Sequence, residues 1–209
     1  MFILEENTKS EKKEVDSMIV NTDNTVPASQ WVWDFANTSN WISIIDSTYM
    51  NDEFNFHGLS SLVSNYKYLV QILRGQISIT VEAQSEETSK DLHLLYIILH
   101  QRYLLTERGS KRIKDKFNQG VFGKCPRVSC NKANLLPIGF SPIPGVENAK
   151  AYCPNCQEVY ETKEVVDGAL FGPYFPHYYL YFDKDYVYNP KGTIKPTLTY
   201  LGLKIESLK

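Results

Sequence analysis

Four cysteines carry most of the chemistry in this chain. They fall as Cys125-x4-Cys130, a 22-residue spacer from Asn131 to Tyr152, and Cys153-x2-Cys156. That pattern suits a zinc ion, which takes about four soft ligands at tetrahedral corners, two from each short Cys-loop-Cys knuckle. Proline follows Cys125 and Cys153, and Gly123, Pro137, Gly139 and Gly145 read as turns around the knuckles. Two disulfides, or free thiols, are the competing readings; a reducing compartment argues against the disulfides. A site made of four cysteines has no open coordination position, so it neither activates water nor polarises a substrate. Its contribution is to folding. Structural zinc binds small peptides with about 10–16 kcal/mol, comparable to the stability of a whole domain. The spacer is too small to hold a core alone, so the metal must organise it. Cys125, Cys130, Cys153 and Cys156 are therefore expected to hold one structural Zn2+ per chain, in a ribbon of short antiparallel strands. Zinc ribbons commonly bind nucleic acid or another protein chain, and spacing alone does not choose between them.

The rest of the composition narrows the choice. At 209 residues, 43% hydrophobic and 22% charged, the chain has the make-up of a globular protein. Its 22 Lys and Arg against 24 Asp and Glu leave a net charge of −2, so no global field recruits nucleic acid or anionic lipid. No apolar run reaches the roughly 20 residues of a membrane span. The start, Met1-Phe2-Ile3-Leu4-Glu5-Glu6, lacks the basic end and long apolar stretch of a signal peptide. A soluble intracellular protein is expected. No phosphate-binding Gly-rich loop, nucleophile elbow or kinase signature is present, so the chain is expected to act by binding.

The elements that must position the cysteines lie mostly before them. Residues 1 to about 30 are rich in Lys, Glu, Asn, Thr and Ser and read as a flexible tail. A short helix is expected with Asp46 or Ser47 as its cap, carrying Tyr49 and Met50 inward. From Leu59, the positions Leu62, Val63, Tyr66, Leu69, Val70 and Leu73 follow helical spacing up to Gly75. Leu92 to Leu105 reads as a buried helix with one polar stripe at His93, His100 and Glu107, and the histidines are read as its wet edge. Arg102, Arg108, Lys111, Arg112, Lys114, Lys116, Lys124 and Arg127 face only Glu107 and Asp115. This basic stretch is either a phosphate-meeting surface or the solvated face of a short helix over Ser110 to Asn118. The aromatic run from Phe171 to Phe182 is expected to pack between two domains. Leu201, Leu203 and Ile205 alternate as a terminal strand, one that could complete its own sheet or add to another protein's sheet edge. The fold class is α+β: a helical N-terminal domain, a small antiparallel-β zinc ribbon and an extended C-terminal segment.

Several runs resemble the casein kinase II regulatory (beta) subunit. They are Arg102-Tyr103-Leu104-Leu105-Thr106-Glu107-Arg108-Gly109, the stretch Phe117 to Cys130, and Leu136-Pro137-Ile138-Gly139. Tyr152-Cys153-Pro154-Asn155-Cys156, Asp167 to Gly172 and Phe175-Pro176-His177 continue the likeness, which runs in one order over about residues 31 to 206. The resemblance implies a flexible tail (1–30), an α-helical domain (31–119), a zinc-ribbon dimerisation domain (120–178) and a kinase-docking segment (179–209). It also implies a homodimer through the ribbon that carries two casein kinase II catalytic subunits in a heterotetramer, acts on protein substrates, and works in cytoplasm and nucleus without membrane or nucleic acid. Pro126, Val128 and Val159 are the expected dimer contacts, since the knuckles turn their intervening apolar side chains outward. In the family an aromatic-Gly-aromatic tip docks on the kinase; here Tyr200, Leu201, Gly202 and Leu203 stand in that place. The family's run of consecutive acids is reduced to Glu82, Glu86, Glu87 and Asp91, which implies little response to polyamines. A nucleic-acid-binding or scaffold zinc-ribbon protein not bound to a kinase is the alternative.

Overall fold

The computed structural model describes residues 27–79 and 85–183, and the backbone of residues 199–200 and 203–204. Of the expected tail, residues 1–26 lie outside the described residues, and Pro27 already forms a β-bridge with Asp46. Helix α1 (Gln30–Ala36) follows directly, its first turn capped by the Ser29 hydroxyl, which accepts from the Val32 N–H at 3.2 Å. Helix α2 (Ser47–Asn51) is capped by Asp46 as expected: a carboxylate oxygen accepts from the Tyr49 N–H at 2.9 Å, and Met50 is fully buried. That carboxylate also accepts from the Tyr103 hydroxyl at 3.2 Å and lies 3.6 Å from Arg108, so one residue ties three elements together.

Helix α3 spans Tyr66–Leu73, not the stretch from Leu59. Asn65 before it has φ +52°, the left-handed region, and the Ser64 N–H donates to Asp91 at 3.0 Å instead of to a helical carbonyl. The left-handed Asn65 and the Ser64 N–H drawn to Asp91 interrupt the helical ladder, so the helix starts only at Tyr66. Leu62 is left 49% exposed, while Leu59 is buried from a turn.

Helix α4 (Glu86–Leu104) is the axis of the molecule. Ser85 caps it, and Glu86 and Glu87 complement its N-terminal dipole. It packs on α3, on α5 (Glu107–Gln119) and on a 3-10 turn at Gly168–Leu170. Leu92, Leu95, Tyr96, Leu99, Tyr103 and Leu104 are fully buried along it. Each such side chain contributes roughly 1.5–3 kcal/mol by leaving water. Helix α5 begins three residues earlier than expected because the Thr106 hydroxyl accepts from the Gly109 N–H and caps it. Gly120, at φ +74°, closes its far end.

His100 corrects the sequence reading most sharply. It is fully buried, not on a wet edge. The Ser43 N–H donates to Nε2 at 3.0 Å, so Nδ1 carries the proton and donates to the Leu170 carbonyl at 2.9 Å. Burial holds its pKa down at about 4, outweighing the Leu170 bond that favours the charged form. One neutral imidazole thus fastens α4 to residue 43 on one side and to residue 170 on the other.

The ribbon follows α5. Strands β1 (Leu136–Ile138), β2 (Lys150–Tyr152) and β3 (Val159–Tyr160) form an antiparallel sheet in the order β1-β2-β3, with Leu136 opposite Tyr152 and Tyr152 opposite Val159. Pro137 sits inside β1 instead of at a turn, which an edge strand tolerates because one side of it needs no N–H donor. Just beyond, Gly139 lies against Gly168 so closely that a Cβ there would overlap the Gly168 carbonyl. This contact seats the ribbon on the turn that His100 holds.

The buried residues of the helices and of the ribbon form one continuous core. Trp41 is its seam, meeting Phe122 edge-on with ring centres 5.4 Å apart and Phe171 at 6.3 Å. The aromatic run divides. Phe171, Phe175 and Tyr179 are buried as expected, but Tyr174, just before helix α6 (Phe175–Phe182), and Tyr181, on the outer side of that helix, are more than 80% exposed. At the C-terminus the expected single strand is a hairpin: β4 (Thr199–Tyr200) pairs antiparallel with β5 (Leu203–Lys204), Tyr200 opposite Leu203. No helix among the described residues is long and apolar enough to cross a membrane.

Candidate metal centre

Each knuckle is a short loop closed by its own backbone. In the first, the Cys125 N–H donates to the Ala133 carbonyl at 2.8 Å and the Cys130 N–H to that of Arg127 at 2.9 Å. Asn131 and Lys132 both take left-handed φ, turning the chain back on itself. In the second, the Cys153 N–H donates to the Glu158 carbonyl at 2.9 Å and the Gln157 N–H to that of Cys153 at 2.8 Å. Cys153 is the residue after β2, so the hairpin between β2 and β3 is itself the knuckle.

These loops bring Cys125, Cys130, Cys153 and Cys156 together with all four sulfurs within 4.8 Å of one another. None is in a disulfide, and the Cys125 and Cys156 sulfurs stand 3.8 Å apart. A disulfide needs about 2.05 Å. A tetrahedron with zinc–sulfur bonds of about 2.3 Å has edges of about 3.8 Å. The thiols are buried except for Cys156, which is half-buried. The donor set and its spacing fit a tetrahedral thiolate-preferring metal with no position left for a substrate.

The electrostatics follow from burial. It pushes the Cys130 and Cys153 thiols above their ordinary range. At Cys156 burial acts in the same direction but loses to hydrogen bonds from the Tyr160 hydroxyl, the Glu158 backbone and the neighbouring thiols, and the pKa falls to about 7. The Tyr160 hydroxyl lies 3.2 Å from the Cys156 sulfur and 3.6 Å from that of Cys125. Sequence reading stopped one residue short of it, at Val159. The signal was there: an aromatic hydroxyl four residues after the last ligand, on the strand leaving the knuckle.

Around the cluster, Val128 is 96% exposed at the tip of the first knuckle, Pro126 is exposed and Val159 half-buried. Pro126 and Val159 line one shallow hollow of about 420 Å³ with Arg127, Glu158 and Tyr160. Of the expected docking residues, Tyr200 and Leu203 face each other across the hairpin backbone, while Leu201 and Gly202 lie outside the described residues. The basic stretch is largely turned on its own chain. Lys116 donates to the carbonyls of Asn40 and Ile42, and Arg102 to those of Asn55 and His57. Lys114 pairs with Asp183 at 2.8 Å, and Lys124 bonds to Asn134.

Comparison with known proteins agrees with this architecture. The sequence profile of the casein kinase II regulatory subunit family matches residues 30–201. The casein kinase II subunit beta of Dictyostelium discoideum is 38% identical over 143 residues, 66% of this chain and 53% of that protein. The subunit beta' of Saccharomyces cerevisiae is 36% identical over 160 residues, 72% of this chain and 61% of its own length. The subunit beta-3 of Arabidopsis thaliana is 30% identical over 219 aligned positions, 96% of this chain and 78% of that protein. This chain thus spans a little over half the length of the first two relatives. The relatives are regulatory subunits, consistent with a site that holds metal and has no open position for chemistry. The order of helices, closed four-thiol knuckles and ribbon, together with a profile match over most of its length, makes this chain a member of the casein kinase II regulatory subunit family.

Proposed function

We propose that this chain is the zinc-dependent, non-catalytic regulatory subunit of a casein kinase II holoenzyme. It pairs with a second copy through the ribbon, docks two catalytic subunits through its C-terminal segment, stabilises them and modulates their choice of protein substrate. The four-thiol cluster beside an exposed apolar rim carries the reading. A bound zinc ion contributes folding free energy to strands only two or three residues long, which are too short to stand alone. With the knuckles fixed, the hollow lined by Pro126 and Val159 and the exposed Val128 at the first knuckle's tip offer apolar surface that a two-fold axis would make self-complementary. An exposed valine at the knuckle tip suits burial against a copy of itself. The C-terminal hairpin reaches the kinase with Leu201 and Leu203 in place of larger aromatic anchors, so the dock is hydrophobic with reduced area. The nucleic-acid reading loses ground because Arg102, Lys114, Lys116 and Lys124 are engaged with the chain itself.

Sedimentation velocity of the full chain, alone and mixed with a casein kinase II catalytic subunit, tests this. The expected result is a dimer that becomes a two-plus-two complex on mixing, and a monomer that still holds zinc for Val128→Glu. A chain that never associates with the kinase contradicts the regulatory assignment. A Val128→Glu protein that stays dimeric contradicts the interface.

A further inference from the structure

We infer that Tyr160 is a positioning residue of the metal centre, whose hydroxyl donates a hydrogen bond to the Cys156 thiolate while standing beside the Cys125 sulfur, and sets how long the metal stays bound. The inference rests on the zinc reading above and adds to it a role for a residue outside the ligand set. Its geometry is specific. Tyr160 lies opposite Ala151 in the β2–β3 pair, on the strand that leaves the second knuckle. Its hydroxyl is within hydrogen-bond reach of one sulfur from each knuckle, 3.2 Å from Cys156 and 3.6 Å from Cys125. Those two sulfurs are 3.8 Å apart, so the hydroxyl caps one edge of the tetrahedron and bridges two loops separated by the whole spacer.

The chemistry follows from charge. Four thiolates around one dication leave two surplus negative charges in a mostly buried site. A donor aimed at a ligating sulfur draws off part of that charge, opposes protonation of the ligand and holds it in the orientation the metal needs. A phenol, unlike a carboxylate, remains a donor throughout the physiological range. Cys156 is also the least buried ligand, the one from which dissociation would begin, and it receives the shorter contact. The ring meanwhile forms part of the hollow with Pro126 and Val159, so the same side chain touches both the metal ligands and the proposed dimer face.

The test uses the full chain with zinc, and then cobalt(II), in wild type, Tyr160→Phe and Lys163→Ala. Tyr160→Phe keeps the ring and deletes the donor. It is expected to release zinc to a chromophoric chelator about 10–100-fold faster than wild type. Its sulfur-to-cobalt charge-transfer band is expected to shift, a signature that loss of packing alone does not produce. Lys163→Ala, an exposed change on the same ribbon, should match wild type in both. Equal release and an unshifted band for Tyr160→Phe, with wild type holding one zinc, overturn the inference and leave the zinc reading standing. A wild type that takes up no metal overturns both. Should Tyr160→Phe fail to fold, the wild type loaded with an NMR-active cadmium isotope decides. A slowly exchanging Tyr160 hydroxyl proton coupled to the metal is expected; one exchanging at the solvent rate refutes the role.

Discussion

The helical half and the ribbon answer the same problem with different means. Around α4 the chain has enough length to bury Trp31, Tyr96, Leu99 and Tyr103 completely, and its polar ties are few and internal. The ribbon has strands of two or three residues, an exposed knuckle tip and sulfurs where the helical half has apolar side chains. One half is stabilised by area removed from water; the other gathers four thiols with the spacing of a metal site. They meet at the Gly168–Leu170 turn, where His100 and the Gly139 contact fix their relation.

That difference makes the two halves separable by perturbation. The largest effect belongs to the metal. Cys153→Ser, or chelation of wild type, should remove most of the roughly 10–16 kcal/mol a structural zinc can supply. Amide exchange across β1 to β3 should then rise to near the unprotected rate, while the middle of α4 stays protected. Protection that survives chelation in the ribbon would erase the distinction.

His100→Leu comes next. It strands the Ser43 N–H and the Leu170 carbonyl in the core, and each unsatisfied buried group costs about 1–3 kcal/mol, so a loss of about 3 kcal/mol is expected in denaturant unfolding. The same residue sharpens the comparison through pH. Its pKa is about 4 when folded, against an ordinary 6.5, so between those values the unfolded chain binds a proton that the native chain refuses. Its contribution is therefore intact above pH about 6.5 and is lost as pH falls toward 4. Unfolding midpoints measured across that window should fall in wild type, and by less in His100→Leu.

Gly139→Ala probes the junction itself. A methyl group there collides with the Gly168 backbone, and such overpacking costs about 1–3 kcal/mol. A thermal melt should shift downward with zinc stoichiometry unchanged. The smallest effect is on the surface of α4. Lys90→Ala removes an exposed pair with Glu86 at 2.6 Å and should cost less than about 0.5 kcal/mol by chemical denaturation.

The comparison also explains what could be read in advance. Metal ligands are local: two knuckles written within six and four residues announce themselves by spacing, and the four sulfurs do converge. Caps are equally local: the sequence narrows the cap of α2 to Asp46 or Ser47, and Asp46 fills it. His100 was misread because its partners stand 57 and 70 residues away, and no periodicity distinguishes a buried tie from a wet edge. The start of α3 was misplaced because Leu59 and Leu62 obey helical spacing while Asn65 turns left-handed between them and the helix. Tyr160 escaped notice because it becomes part of the site only when β3 folds back over the knuckle. Part of the aromatic run is core as read; Tyr181 and Phe182 are exposed because α6 has only one face against the ribbon, and Tyr174 is exposed just before that helix.

The central claim is that the metal, the ribbon and the dimer form one linked unit. Native mass spectrometry of the full chain before and after chelation addresses it most directly. The account predicts a dimer carrying two zinc ions that loses both metal and partner together. A zinc-free dimer that persists after chelation would contradict it.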